Sequence, residues 1–197
     1  MAEEKDPPAA KRSGTLETIL FLLGGVAVAV LVHMFALQSF YIPSESMENT
    51  LLVNDRVLVN KLAYRFGDVE RGDIVVFKGW TGEDTIKRVI AKGGDTVRCC
   101  DARNRITVNG TPLDEQGGYV YPGASPSDRP FDVTVPEGRL WLMGDHRDDS
   151  QDSRAFIRDG HQGTISEGDV IGRAFVLYWP LSRGTLLSPP ETFAAIH

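Results

Sequence analysis

Residues 71–97 read RGDIVVFKGWTGEDTIKRVIAKGGDTV. Two short apolar runs stand in this stretch, Asp73–Phe77 and Thr85–Ala91. Turn chemistry bounds them: Arg71-Gly72-Asp73 before the first and Gly93-Gly94-Asp95 after the second. Short runs rich in Val and Ile between glycine punctuation read as β-strands. The pattern continues outward in Arg56–Asn60, Arg105–Val108, Arg139–Met143 and Ile171–Trp179. Asn109-Gly110, directly after one of these runs, is a strong hairpin signal. Between Tyr41 and Trp179 no helical period and no internal repeat is visible. The fold class expected is mainly β: an antiparallel sheet or barrel-like domain. Residues 98–137 differ in being polar and turn-rich, with Tyr121–Phe131 (YPGASPSDRPF) the most loop-like part. They read as an inserted β/loop subdomain. The core then comprises 40–97 and 138–182, followed by a loose tail over 183–197.

Ahead of the β region, residues 15–39 read as a single transmembrane anchor. From Ile19 to Leu37 the chain is apolar except for His33. At about 1.5 Å per residue such a run spans about 28 Å, close to the hydrocarbon thickness of a bilayer. A cleaved signal peptide is the competing reading. It calls for a shorter apolar core and small residues at a cut site. Phe35, Leu37, Gln38 and Phe40 supply no such site. His33 reads as an interfacial polar group. The tail 1–14 is polar and carries Lys5, Lys11 and Arg12, whereas the first basic residue after the run is Arg56. The N-terminus is therefore expected in the cytoplasm and the β domain on the opposite face.

The net charge of −6 over 197 residues argues against a broad nucleic-acid surface, which needs Lys and Arg to neutralise phosphates. Cys99 and Cys100 are neighbours. A bridge between them closes almost no loop, so buried or free thiols are expected, with a vicinal disulfide as the alternative. No Cys/His spacing resembles a zinc site.

Three segments carry residues with chemical potential. The first is Pro43-Ser44-Glu45-Ser46-Met47, just after the apolar run. A serine in a turn is ordinarily a turn or cap residue. The second is Lys87, within a strand. Most strand lysines are solvated, but one held in an apolar setting loses hydration of its charged form. Its pKa then falls, and the neutral amine can act as a base. Strand alternation groups Lys87 with Thr85, Val89 and Ala91, and Ile86 with Arg88 and Ile90. The third is Gly144-Asp145-His146-Arg147-Asp148-Asp149-Ser150-Gln151-Asp152-Ser153-Arg154. It is read either as a solvated polar loop, or as a calcium loop lacking the EF-hand positions, or as a network that fixes a reactive pair.

Together the three segments resemble the type I signal peptidases. The pieces that carry the resemblance are PSESMENTL (43–51), RGDIVVF (71–77), KRVIAKGGD (87–95) and GDHRDDSQDSR (144–154), in that order behind the anchor. The resemblance implies that Ser46 is the nucleophile and Lys87 the general base. It implies an oxyanion hole formed by the Ser44 hydroxyl and the Ser46 N–H. Ser150 would orient Lys87, Asp145, Asp152 and Arg154 would hold the framework, and Met47 would position the nucleophile turn. It further implies cleavage of exported preproteins after small residues of the Ala-x-Ala type, with shallow pockets lined in part by Ile42 and Met47. No metal or organic cofactor is called for. The expected partners are signal-peptide-bearing preproteins and a lipid bilayer, with the chain a monomer. Two residues depart from the family pattern. Asn49 stands where proline is common, and His146 where asparagine is usual. His146 also offers a rival base, since Ser46, His146 and Asp145 or Asp148 have the composition of a triad. Two further readings are a relative of self-cleaving repressors, which share the Ser/Lys β fold, and a catalytically silent tethered domain that binds an exported partner.

Overall fold

A computed structural model describes residues 14–115 and 117–196. Two units are distinct, Met1–Ala36 and Leu37–His197. In the first, α1 runs over Gly14–Phe35, and its described leucines, valines and Phe21 are exposed. The described side chains of α1 stop at Leu31, short of the end of the apolar run. Among the described residues, no helix is long and apolar enough to cross a membrane. Residues 1–13 of the polar tail lie outside the described residues, as does the side chain of His33.

The second unit is mainly antiparallel β, as its short apolar runs require. Its strands are β1 (Leu37–Tyr41), β2 (Arg56–Asn60), β3 (Ile74–Lys78), β4 (Asp84–Lys92), β5 (Thr96–Cys99), β6 (Ile106–Val108), β7 (Thr111–Pro112), β8 (Phe131–Thr134), β9 (Arg139–Met143), β10 (Ile165–Ser166), β11 (Val170–Trp179) and β12 (Thr185–Leu186). The larger sheet has the order β1-β2-β11-β3-β4-β9-β10, with β12 on β11. The smaller one has the order β7-β6-β5-β8 and takes in most of the strand content of the predicted insertion. Asn109 and Gly110 both have positive φ, 53° and 79°, and close the β6–β7 hairpin. Two left-handed residues in a row match the twist of the strands that they join.

The centre of the large sheet is covered on both faces. Ile74 and Val76 of β3 belong to one apolar cluster, with Ile42, Met47, Val57 and Ala174. Val75 and Phe77 belong to another, with Val89, Leu140 and Leu142. Such a strand reads as an unbroken apolar run because neither face meets water. In β4 the simple alternation fails at one point. The register against β9 shifts between Val89 and Ala91, which places Ala91 beside Ile90 in a third cluster. A bulge of this kind re-aims every side chain beyond it.

Two expectations are corrected here. Cys99 and Cys100 are bonded to each other rather than free, at a Cα separation of 3.0 Å that brings adjacent sulfurs within bonding reach. The segment after Arg183 is not loose, because Leu187, Phe193 and Ile196 are buried. Arg71 Nη1 also donates to the Ile196 carbonyl at 3.4 Å. Three apolar side chains at irregular spacing leave no periodic signal in the sequence, yet they suffice to seat the tail.

Candidate active site

Ser46 lies in a single 3-10 turn, Glu45–Met47, between β1 and β2. Met47 anchors the turn from below. It is fully buried in the cluster with Ile42 and Leu51, and so supports the turn rather than lining a surface pocket. Lys87 comes from β4, where the strand is buried. The two side chains meet. Lys87 Nζ is 2.6 Å from Ser46 Oγ, and the exposures are 4% and 7%. The Ser44 hydroxyl lies 3.3 Å from Ser46 Oγ.

Burial is the main influence on Lys87 and pushes its pKa down to about 8. Asp152 and Asp145 pull upward, while Arg154 assists the fall. The carboxylates do not prevail because each is already occupied. Arg88 holds Asp145 in a fork, with Nε to Oδ1 at 2.8 Å and Nη2 to Oδ2 at 2.6 Å. Arg154 holds Asp152 likewise, with both contacts at 2.8 Å. Burial alone would raise the Asp152 carboxyl, but the hydrogen bonds and charge of Arg154 and the Gly144 N–H keep it below its ordinary range. Fork-shaped pairs fix geometry as well as charge.

These pairs also tie the segments together. Thr50 Oγ1 donates to Asp145 Oδ2 at 2.5 Å, which links the segment that carries Ser46 to the Gly144–Arg154 loop. The His146 N–H donates to the Ser46 carbonyl at 3.1 Å. Asn49 Nδ2 donates to the carbonyls of Gly118 and Val120 at 3.0 and 3.2 Å. The position that departs from proline thus acquires contacts of its own, and its φ of 83° suits asparagine. Ser150 lies against Gly144 with its Oγ buried, and its hydroxyl bears on Asp152, whose carboxyl it helps to hold down. Among the described residues, no hydrogen bond joins the His146 side chain to Ser46 Oγ, whose partners are Lys87 Nζ and the Ser44 hydroxyl. The His146 Nδ1 faces Glu48.

A second buried set was not legible beforehand. Glu115 takes a fork from Arg147, at 2.9 and 2.6 Å. Tyr119 O–H also donates to Glu115, and the Arg88 guanidinium lies over the Tyr119 ring at 4.3 Å. Glu115 and Tyr119 come from the insertion, where polarity alone gave no reason to single them out.

Gly144 is where the framework is tightest. A Cβ at this position would collide with Ser150 Oγ and the Ser46 carbonyl. Gly144→Ala is expected to displace the Glu45–Met47 turn that carries Ser46 and to lower catalytic efficiency by about 100-fold, while circular dichroism stays native.

Beside the pair runs a groove of about 390 Å³, lined by Phe40–Ser44, Ser46, Val76 and Glu83–Lys87. β1 stands at the end of the sheet order. β9 pairs with β4 only from Arg88 onward. Among the described residues, Asp84–Lys87 therefore has no strand on that side.

A buried amine against a serine hydroxyl, next to a groove with open strand edges, is an arrangement suited to acyl transfer from an extended peptide. The family described as signal peptidase, peptidase S26, matches residues 15–179, and the chain belongs to that family. It is a serine peptidase, a hydrolase of peptide bonds. Signal peptidase I of Mycobacterium tuberculosis is 36% identical over 233 residues, covering 92% of this chain and 78% of that protein. Signal peptidase I of Leptolyngbya laminosa is 36% identical over 200 residues, covering 94% and 92%. Signal peptidase IB of Staphylococcus aureus is 32% identical over 194 residues, covering 89% and 95%.

Proposed function

We propose that this chain removes signal peptides from exported preproteins, with Ser46 as nucleophile and Lys87 as general base. The observation that carries the reading is the 2.6 Å contact between Lys87 Nζ and Ser46 Oγ in a buried setting. With the amine neutral, the Nζ lone pair takes the Ser46 proton as Oγ attacks the scissile carbonyl. The Ser46 N–H and the Ser44 hydroxyl stabilise the negative charge that develops on the carbonyl oxygen. The proton then passes from Lys87 to the leaving amine. An acyl-enzyme remains on Ser46. Lys87 next deprotonates a water, which attacks the ester and releases the signal peptide with a new carboxylate. Asp145, Asp152 and Arg154 hold the framework, and Met47 holds the turn from the core.

The substrate lies extended in the groove and pairs with the open edges of β1 and β4. Side chains of Ile42, Val76 and Ile86 there favour small apolar residues before the cut. The apolar run Ile19–Leu37 anchors the chain in a bilayer, with Lys5, Lys11 and Arg12 on the cytoplasmic side and the β domain on the other. On this reading Ser46 follows the apolar run after only a few residues of chain.

A pH profile tests the base. Because activity requires neutral Lys87, kcat/KM should rise about tenfold per pH unit on the acid side and level off above pH 8. Rates followed from pH 6 to 10 with a peptide spanning an Ala-x-Ala site give the midpoint. A profile that does not change between pH 7 and pH 9 would contradict Lys87 as the base.

A further inference from the structure

His146 stands where three segments meet. Its ring stacks on Tyr121, with centroids 4.0 Å apart and planes 17° from parallel. Its main-chain N–H holds the Ser46 carbonyl. Its Nδ1 is buried, makes no hydrogen bond, and faces Glu48 Oε2 at 3.6 Å. Glu48 closes the turn that carries Ser46, since its N–H donates to the Glu45 carbonyl at 2.8 Å.

Any residue but proline at position 146 could supply the main-chain bond. The side chain adds something else. An Nδ1 lone pair aimed at a carboxylate would be repelled, so the arrangement requires the proton on Nδ1. Glu48 Oε2, at 3.6 Å, lies just beyond hydrogen-bond range of that N–H, so a shift of a few tenths of an ångström would bring the two into bonding distance. The stack on Tyr121 keeps the ring from swinging away. Space-filling alone would not need a nitrogen facing Glu48.

We propose that His146 is a positioning residue for Ser46. Its Nδ1–H engages Glu48 and sets the nucleophile turn against Lys87, while Tyr121 holds the imidazole in place. The proposal rests on the Ser46/Lys87 reading above.

Preprotein cleavage by the full chain in detergent tests it. His146→Phe keeps a ring for the stack but removes the donor. His146→Asn places an amide N–H near the Nδ1 position and gives up the stack. His146→Phe should lower kcat about tenfold with KM unchanged, and His146→Asn should restore most of it. In a Glu48→Ala background, His146→Phe should cost nothing further, because the coupled pair is already broken. Wild-type rates for His146→Phe, or independent losses in the double variant, overturn the proposal. Should His146→Phe fail to fold, Glu48→Ala carries the test in the His146→Asn enzyme, where a full tenfold loss is expected and no loss overturns it. If both His146 variants are dead while Lys87→Ala cleaves, the base is histidine, and the dyad reading fails along with the proposal.

Discussion

Lys87→Met is expected to reduce kcat/KM by about 10⁴-fold or more, because on the proposed reading it removes the base that takes the Ser46 proton. The same substitution should stabilise the fold. Lys87 is buried and its pKa is pushed down to about 8, so at pH 7 the folded chain carries a charged amine in a setting that resists charge. Methionine fills a similar volume without that cost. The pH dependence follows from the direction of the shift. Between about pH 8 and the ordinary lysine value, the unfolded chain binds one more proton than the folded one, so wild-type stability rises with pH across that window. The advantage of Lys87→Met is therefore largest at neutral pH and shrinks toward pH 10. Thermal melts at pH 7 and pH 10, beside cleavage rates, check both halves. A dead enzyme that also melts lower at pH 7 would mean that Lys87 is a structural cation.

Asp145→Ala is expected to destabilise the β unit by about 3–5 kcal/mol, because it strands the Arg88 charge in the interior. Both groups are almost wholly inaccessible, at 0% and 1% exposure. Arg88 Nη1 keeps the Gly72 carbonyl at 2.8 Å, and the guanidinium keeps the Tyr119 face. Neither supplies a negative charge. Thr50 loses its acceptor as well, so the nucleophile turn should loosen and kcat should fall further than the folded fraction explains. Urea denaturation gives the stability change. Replacing both members, Arg88→Met with Asp145→Leu, should recover most of the stability but not the activity. That outcome separates the cost of an unpaired charge from the loss of positioning.

The strands around the site were legible because they are short, Val- and Ile-rich, and punctuated by glycine. Arg56–Asn60 and Arg139–Met143 stand as read, and the hairpin at Asn109-Gly110 follows from its turn residues. The edge elements were harder. Leu37–Tyr41 continues an apolar run without a turn signal, yet it is a strand paired with Arg56–Asn60. β5 and β8 lie in polar sequence and are recognisable only once paired with each other. At the site, the family resemblance of the four boxes pointed to Ser46 and Lys87, while their approach depends on a register that no local pattern encodes. The Val89/Ala91 bulge illustrates this, since period-two alternation grouped those residues and the sheet separates them. Tyr119 and Glu115 were missed for a related reason. Their role comes from Arg88 and Arg147, which reach them from other segments.

The most direct test of the Ser46/Lys87 account is the mass of the products formed when the purified full chain in detergent meets a preprotein with one Ala-x-Ala site. Two fragments from a single cut after the second alanine are expected with wild type, and none with Ser46→Ala at equal folded concentration. Undiminished cleavage by Ser46→Ala, or an intact preprotein after incubation with well-folded wild type, would contradict it.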